Sequence, residues 1–112
     1  MYEYKGIVLE VLDYETVIIN VDLGFGCSRI MYLSLRNVDS CLNDIVKIAD
    51  SREDVEDSIK EKIKGSVIFF NSYPANKFNK SPYHTEYDIE VVYTDNMEAK
   101  FLMMEIKKEF CN

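Results

Sequence analysis

The chain has 112 residues, of which 47% are hydrophobic and 29% are charged, and its formal net charge is −7. A chain of this length predicts one domain, residues 1–112, because domains usually contain about 100–150 residues. No apolar run approaches the roughly 18 residues of a membrane-spanning helix, and the first residues lack the apolar segment of a signal peptide. We therefore expect a globular cytoplasmic protein without a membrane partner.

The acidic charge bears on the class of partner. Basic side chains that neutralise phosphates supply most of the non-specific affinity for nucleic acid, and an overall charge of −7 opposes that attraction. The charge balance favours a protein partner with a basic surface.

The cysteines predict reduced thiols. The chain has an odd number of cysteines, and no two of them have CxxC spacing. They are Cys27, Cys41 and Cys111. This pattern disfavours both a metal cluster and a disulfide framework. Reduced thiols are typical of a cytosolic protein.

The first third of the chain predicts three strands. Residues 5–12 alternate weakly and are rich in Ile, Val and Leu, which is typical of a strand. Asp13-Tyr14-Glu15 interrupts this run as a turn, and residues 16–23 predict a second strand. Gly24-Phe25-Gly26 supplies the positive φ angles that a hairpin needs. Residues 28–38 predict a third strand, which completes an antiparallel meander.

A helix is predicted next, over residues 50–64. Val55, Ile59 and Ile63 recur every four residues and form one apolar stripe. Ser51 is the expected N-cap, and Gly65 is the expected C-terminal stop.

The remaining elements complete the predicted fold. They are a strand at 66–70, a polar loop at 71–86, a strand at 87–94, a turn at Asp95-Asn96 and a helix at 98–110. The order βββ-α-β-β-α predicts an α+β protein, mainly β, with a five-stranded OB-fold barrel. Closing the barrel would protect the edges of its short strands.

Three motifs identify a resemblance. They are Asp13-Tyr14-Glu15-Thr16, Asp22-Leu23-Gly24-Phe25 and the run SLRNVDSCL at residues 34–42. The chain resembles the staphylococcal-nuclease-type domain family, which has Asp-Gly-Asp-Thr before its second strand and Arg-Leu-x-Gly-Ile-Asp-x-Pro-Glu at the end of its third. Phage-borne members carry Asp-Leu-Gly-Phe in the hairpin. The resemblance is specific in residues 4–40 and architectural beyond them.

The resemblance implies a reaction and the positions that would perform it. The family cleaves phosphodiesters with a calcium ion on two carboxylates, a glutamate base and two arginines. The two carboxylates fall at Glu15 and Asp39. The first arginine position is Ser34, the base position is Leu42, and the second arginine position is near Tyr87. None of these last three side chains supplies the cation or carboxylate that the reaction uses.

We therefore expect no catalytic residue, no nuclease activity and no required cofactor. The chain has only three arginines: Arg29, Arg36 and Arg52. Two alternatives stay open for the carboxylates. Glu15 and Asp39 either bind calcium or another divalent ion weakly, or they are a remnant acidic pair.

Two segments are candidate partner-binding surfaces. Loop 71–86 combines aromatic and basic residues that can cover the barrel mouth, contact a protein or stack on single-stranded nucleic acid. These residues are Tyr73, Lys77, Phe78, Lys80 and Tyr83. The predicted helix carries an acidic face, which is either a solvated surface or an imitation of a row of phosphates. Its residues are Glu53, Asp54, Glu56 and Asp57.

Together these features predict a catalytically degenerate nuclease-like protein that binds a macromolecular partner, which we expect to be a protein. The phage-type hairpin and the acidic charge favour an inhibitor, from a phage or mobile element, of a defence enzyme that handles nucleic acid. The alternatives are a metal-dependent phosphodiesterase with altered catalytic residues and a single-stranded nucleic-acid binder.

Overall fold

A closed five-stranded barrel forms the centre of the fold. The computed structural model describes residues 2–35, 40–45, 47–74, 85, 87–94 and 102–111. The strands are β1 (Tyr2–Val11), β2 (Thr16–Gly24), β3 (Cys27–Leu35), β4 (Val67–Pro74) and β5 (Tyr87–Thr94). The helices are α1 (Ser40–Ile45), α2 (Ala49–Ile63) and α3 (Leu102–Phe110). The predicted α+β OB-fold barrel is confirmed, with the short helix α1 as an addition to the predicted order.

The order of strands around the barrel is β1-β2-β3-β5-β4. The predicted meander of β1, β2 and β3 is antiparallel, and β4 pairs antiparallel with both β1 and β5. The closing pair is parallel and short, because β3 meets β5 only from Leu33 to Leu35. Residues 27–32 of β3 therefore have β2 on one side and no described strand on the other.

The core follows the alternation of the strands. Val17, Ile19 and Val21 point inward from β2 and are buried, as are Val8 of β1 and Phe70 of β4. Burying an aliphatic side chain of this size contributes about 1.5–3 kcal/mol. The alternation therefore fixes which face of each strand meets the barrel interior.

Helix α2 covers one end of the barrel through the predicted apolar stripe. Val55, Ile59 and Ile63 are all buried, which confirms the stripe. Gly65 has a φ of +81° directly after the helix, which confirms the predicted stop. The predicted N-cap is wrong, because α2 begins at Ala49 and Ser51 lies within it. Ile48 occupies the N-cap position and forms no side-chain capping hydrogen bond.

Ion pairs fasten α2 to its neighbours. Glu10 of β1 lies 3.0 Å from Lys64 Nζ and 3.8 Å from Lys60 Nζ. Ser58 donates a hydrogen bond to Glu109 of α3 over 2.8 Å.

None of the described helices reaches the length and hydropathy that a bilayer span requires.

Two strand boundaries differ from the sequence prediction by three or more residues. β1 begins at Tyr2 rather than at residue 5, and β4 continues to Pro74 rather than ending at residue 70. Residues 71–74 stay in the sheet because they pair with β5. The predicted end of the third strand after Leu35, the Asp95-Asn96 turn and most of the predicted loop lie outside the described residues.

The cysteine prediction is wrong. Cys41 of α1 and Cys111, directly after α3, are joined by a disulfide with a Cα–Cα distance of 6.2 Å. Cys27 is a free, exposed thiol. The sequence gives no spacing signal because 70 positions separate the paired cysteines, and only the packing of α1 beside α3 brings them together.

Candidate functional site

A row of buried polar side chains crosses β2, β3 and β5 on the outer face of the sheet. The strand pairing aligns Thr16 with Ser34, and Ser34 with Asp88. All three are buried. Their neighbours Val17, Leu33 and Ile89 face the core, so the row lies on the opposite side of the sheet. We call Thr16, Ser34, Asp88 and the adjoining Thr85 the outer polar row.

Ser34 is the central residue of the outer polar row. Its Oγ lies 2.5 Å from Thr85 Oγ1, and the two hydroxyls share a buried hydrogen bond. The resemblance puts the first phosphate-gripping arginine at this position. The side chain there is instead short, buried and paired within the protein. The neighbouring strand contributes the Asp88 carboxyl, so the row contains an acid and no base among its described members.

Glu15, the first expected metal carboxylate, lies in the turn between β1 and β2. Its N–H donates to Asp13 Oδ1 over 2.9 Å, and its carbonyl accepts from the Leu35 N–H over 2.7 Å. Its Oε1 atom is buried. The second expected carboxylate, Asp39, lies outside the described residues. Within the described part of the chain, no group of three or more His, Cys, Asp or Glu side chains could hold a metal ion.

The other catalytic positions of the resemblance also lack the expected chemistry. Tyr87 begins β5, pairs with Leu33 and is 42% exposed. Leu42 lies in α1, next to the disulfide-bonded Cys41. Arg36 lies outside the described residues.

The acidic surface combines α2 with the β1–β2 turn. Glu53, Asp54 and Asp57 are exposed on α2, and Glu56 is half-buried. Burial raises the pKa of Glu56 above its ordinary value, and the nearby charge of Asp13 raises it further. We call the four α2 residues together with Asp13 the acidic surface.

Tyr14 and Arg52 lie at the junction of the helix and the turn. Burial raises the pKa of the Tyr14 phenol, and the charges of Glu15 and Asp13 add to that rise, while Arg52 acts in the opposite direction. The same guanidinium partly offsets the rise in the pKa of Glu56. The turn and the helix therefore share one electrostatic environment in which carboxylates outnumber the single arginine.

The predicted loop surface is only partly described. Tyr73 lies in β4, where it pairs with Asp88 of β5 and is half-buried. Lys77, Phe78, Lys80 and Tyr83 lie outside the described residues, and so does His84.

Arg29 lies on the opposite face from Ser34 and was not among the predicted site residues. Side chains alternate between the two faces of a strand, and Arg29 and Ser34 are an odd number of residues apart. Arg29 therefore points inward with Met31 and Leu33. All three line a cavity of about 270 Å³ at the open end of the barrel, which we call the barrel-end cavity. The alternation of Arg29, Met31, Leu33 and Leu35 was the signal that could have located this guanidinium.

Comparisons with known proteins add no assignment. No protein-family model matches the chain, and a search of curated proteins finds no match.

Proposed function

We propose that this chain is a staphylococcal-nuclease-type barrel that has lost phosphodiester cleavage and acts by binding a protein. The observation that carries the proposal is the buried hydrogen bond between Ser34 and Thr85, at the first arginine position of the resemblance. A guanidinium there would stabilise the charge of the transition state. A serine committed to Thr85 cannot supply that charge.

The electrostatics of the outer polar row support the same proposal. Asp88 is 6% exposed and lies beside Ser34 across the β3–β5 pair. A phosphate at this position would meet a carboxylate instead of an arginine. The loss of one oxyanion-stabilising group or one general base typically costs about 10²-fold or more in rate. The resemblance leaves both arginine positions and the base position without such a group.

The acidic surface is the proposed contact with the partner. Exposed carboxylates on one helix face and in the adjoining turn can imitate a row of phosphates, and they would attract a basic groove electrostatically. An enzyme that handles nucleic acid carries such a groove. We propose that the partner is a defence enzyme of this kind and that the chain is an inhibitor from a phage or mobile element.

The test compares the wild-type chain with two variants in affinity capture from the native host. The neutralised variant carries Glu53→Gln, Asp54→Asn and Asp57→Asn, and the control carries Glu3→Gln, an exposed position near the start of β1, at the opposite end of that strand from Asp13. We expect wild type and control to retain the same protein, with a retention that falls as salt rises, and the neutralised variant to lose it. Identical capture by all three chains would contradict the proposal.

The same samples separate the alternatives. Incubation with single-stranded and duplex DNA and RNA, in calcium, magnesium or manganese, measures cleavage and binding together. Salt-sensitive binding of single strands without cleavage, weakened by changes at Lys77 and Lys80, would favour the nucleic-acid binder instead.

A further inference from the structure

The described residues that line the barrel-end cavity are mostly apolar and include one cation, Arg29. Six of these lining residues carry the argument, and they are Tyr4, Leu23, Arg29, Met31, Phe70 and Tyr87. The Tyr4 and Phe70 rings stack with centroids 6.0 Å apart. A concave site with aromatic walls and few polar groups is the usual form of a binding pocket. The acidic surface lies at the other end of β1. The seven residue steps from Tyr4 to Val11 span about 23 Å of strand, and Asp13 of the acidic surface follows Val11.

Arg29 is the charged side chain among the described residues that line the cavity. It forms no ion pair with a described residue, although the chain as a whole carries a charge of −7. A guanidinium has five donors and no acceptor, so it is best satisfied by a carboxylate or another anion. The cavity therefore favours a ligand that joins an apolar group to a negative charge.

The edge of β3 beside the cavity can accept another strand. Among the described residues, no strand pairs with residues 27–32 on the side away from β2, so the main-chain donors and acceptors of that side have no described strand partner. Thr85, two positions before β5, is bound to Ser34, farther along β3. Ile30 is 60% exposed and Tyr32 is 47% exposed on this edge. Lysine and proline, which commonly protect an exposed edge, are absent from residues 27–32.

We propose that a partner protein adds an extended segment to this edge of β3 and places alternate side chains in the barrel-end cavity. In strand addition the main chain supplies affinity, and pockets for alternate residues supply specificity. Arg29 and Met31 are two positions apart on the inward face. The matching segment therefore carries an acidic residue opposite Arg29 and a large apolar residue two positions away, opposite Met31.

A second copy of the chain fits this edge poorly. Two copies would each bring a net charge of −7, and antiparallel pairing of two β3 edges would bring both Arg29 side chains to the same short stretch of sheet. Like charges on neighbouring strands are destabilising. A segment with one carboxylate at the site and a neutral remainder avoids both costs.

The probe is the capped pentapeptide acetyl-Thr-Phe-Thr-Glu-Thr-amide, followed by amide and methyl NMR of the ¹⁵N,¹³C-labelled protein. We expect saturable shifts at residues 27–32, at the Met31 methyl and at Tyr87. A peptide with Lys in place of Glu should bind at least about fivefold more weakly, although the net charge of the protein would by itself favour the lysine peptide. Arg29→Glu should reverse this preference, and Arg52→Glu, at the other end of the barrel, should leave it unchanged.

A second probe needs no protein variant. N-methylation of the two amides of the glutamate peptide that face β3 removes donors without changing its side chains, and we expect binding to be lost. Equal binding of the glutamate and lysine peptides, or full binding of the methylated peptide, would overturn the proposal. So would a concentration-dependent dimer that blocks the same edge in analytical ultracentrifugation. Because this surface lies away from the acidic surface, either proposal can fail while the other stands.

Discussion

The disulfide between Cys41 and Cys111 makes a quantitative prediction about stability. It closes a loop of 70 residues and ties the segment after β3 to the end of α3. Loop-closure entropy gives an upper value of about 4 kcal/mol for a loop of this length, and measured values are typically about 2–4 kcal/mol. The double variant Cys41→Ser/Cys111→Ser should lose about that much stability. For a domain of this size, we expect the melting temperature to fall by about 10–20 °C.

The assay is thermal unfolding by circular dichroism, without reductant, of wild type, the double variant and Cys27→Ser. Cys27 is exposed and free, so its replacement is the matched control and should leave the transition unchanged. Ellman's reagent should find one reactive thiol in the unfolded, unreduced wild type and three after reduction. Three thiols before reduction would show that the disulfide does not form. Equal melting temperatures for wild type and double variant would show that it does not stabilise the fold. Trapping thiols by alkylation in intact cells then reports whether the bond forms there.

Three further predictions concern the barrel and the sites on it. Gly6→Ala should lower the free energy of unfolding by about 1–3 kcal/mol in urea, because a Cβ there would lie 2.9 Å from a main-chain oxygen of β2. An unchanged urea midpoint would show that β1 can move to accommodate the methyl group. Ser34→Ala should cost about 1–3 kcal/mol, because it leaves the buried Thr85 hydroxyl without this partner; Thr85→Val in the same background should recover part of the loss. Burial and Asp13 raise the pKa of Glu56, so the folded state holds this proton more tightly and loses stability as pH rises through the ordinary glutamate range of about 4–5. Glu56→Gln should remove that component and stabilise the fold by no more than about 0.5 kcal/mol at pH 7, because solvent screens the charges around this partly exposed side chain; a variant less stable than wild type at pH 7 would contradict this sign.

Local sequence patterns predicted the elements that depend on local physics. Val55, Ile59 and Ile63 form a helical stripe whatever the helix packs against, and all three are buried. Phe25 and Gly26 have φ angles of +56° and +75°, the signs that a two-residue hairpin turn requires. The start of α2 was harder to predict, because Ile48 occupies the N-cap without a side-chain bond and packing fixes the boundary instead.

Contacts between distant segments explain what the sequence did not predict. The end of β4 depends on pairing with β5, and the disulfide depends on α1 lying beside α3. The candidate site also combines a feature that local sequence predicts with one that depends on distant contacts. Strand parity puts Ser34 and Arg29 on opposite faces, but the hydrogen bond from Ser34 to Thr85 spans 51 positions and needs the assembled barrel. Asp88 joins the outer polar row only through the parallel pair of β3 and β5.

The most direct test of the account is a cleavage assay on purified wild-type protein. Excess protein is incubated with end-labelled single-stranded and duplex DNA and RNA, in calcium, magnesium or manganese, beside Glu15→Ala and Asp39→Ala prepared identically. We expect no metal-dependent cleavage by wild type above the level of the two variants. Metal-dependent cleavage by wild type that disappears in Asp39→Ala would contradict it and would make this chain a nuclease with rearranged catalytic residues.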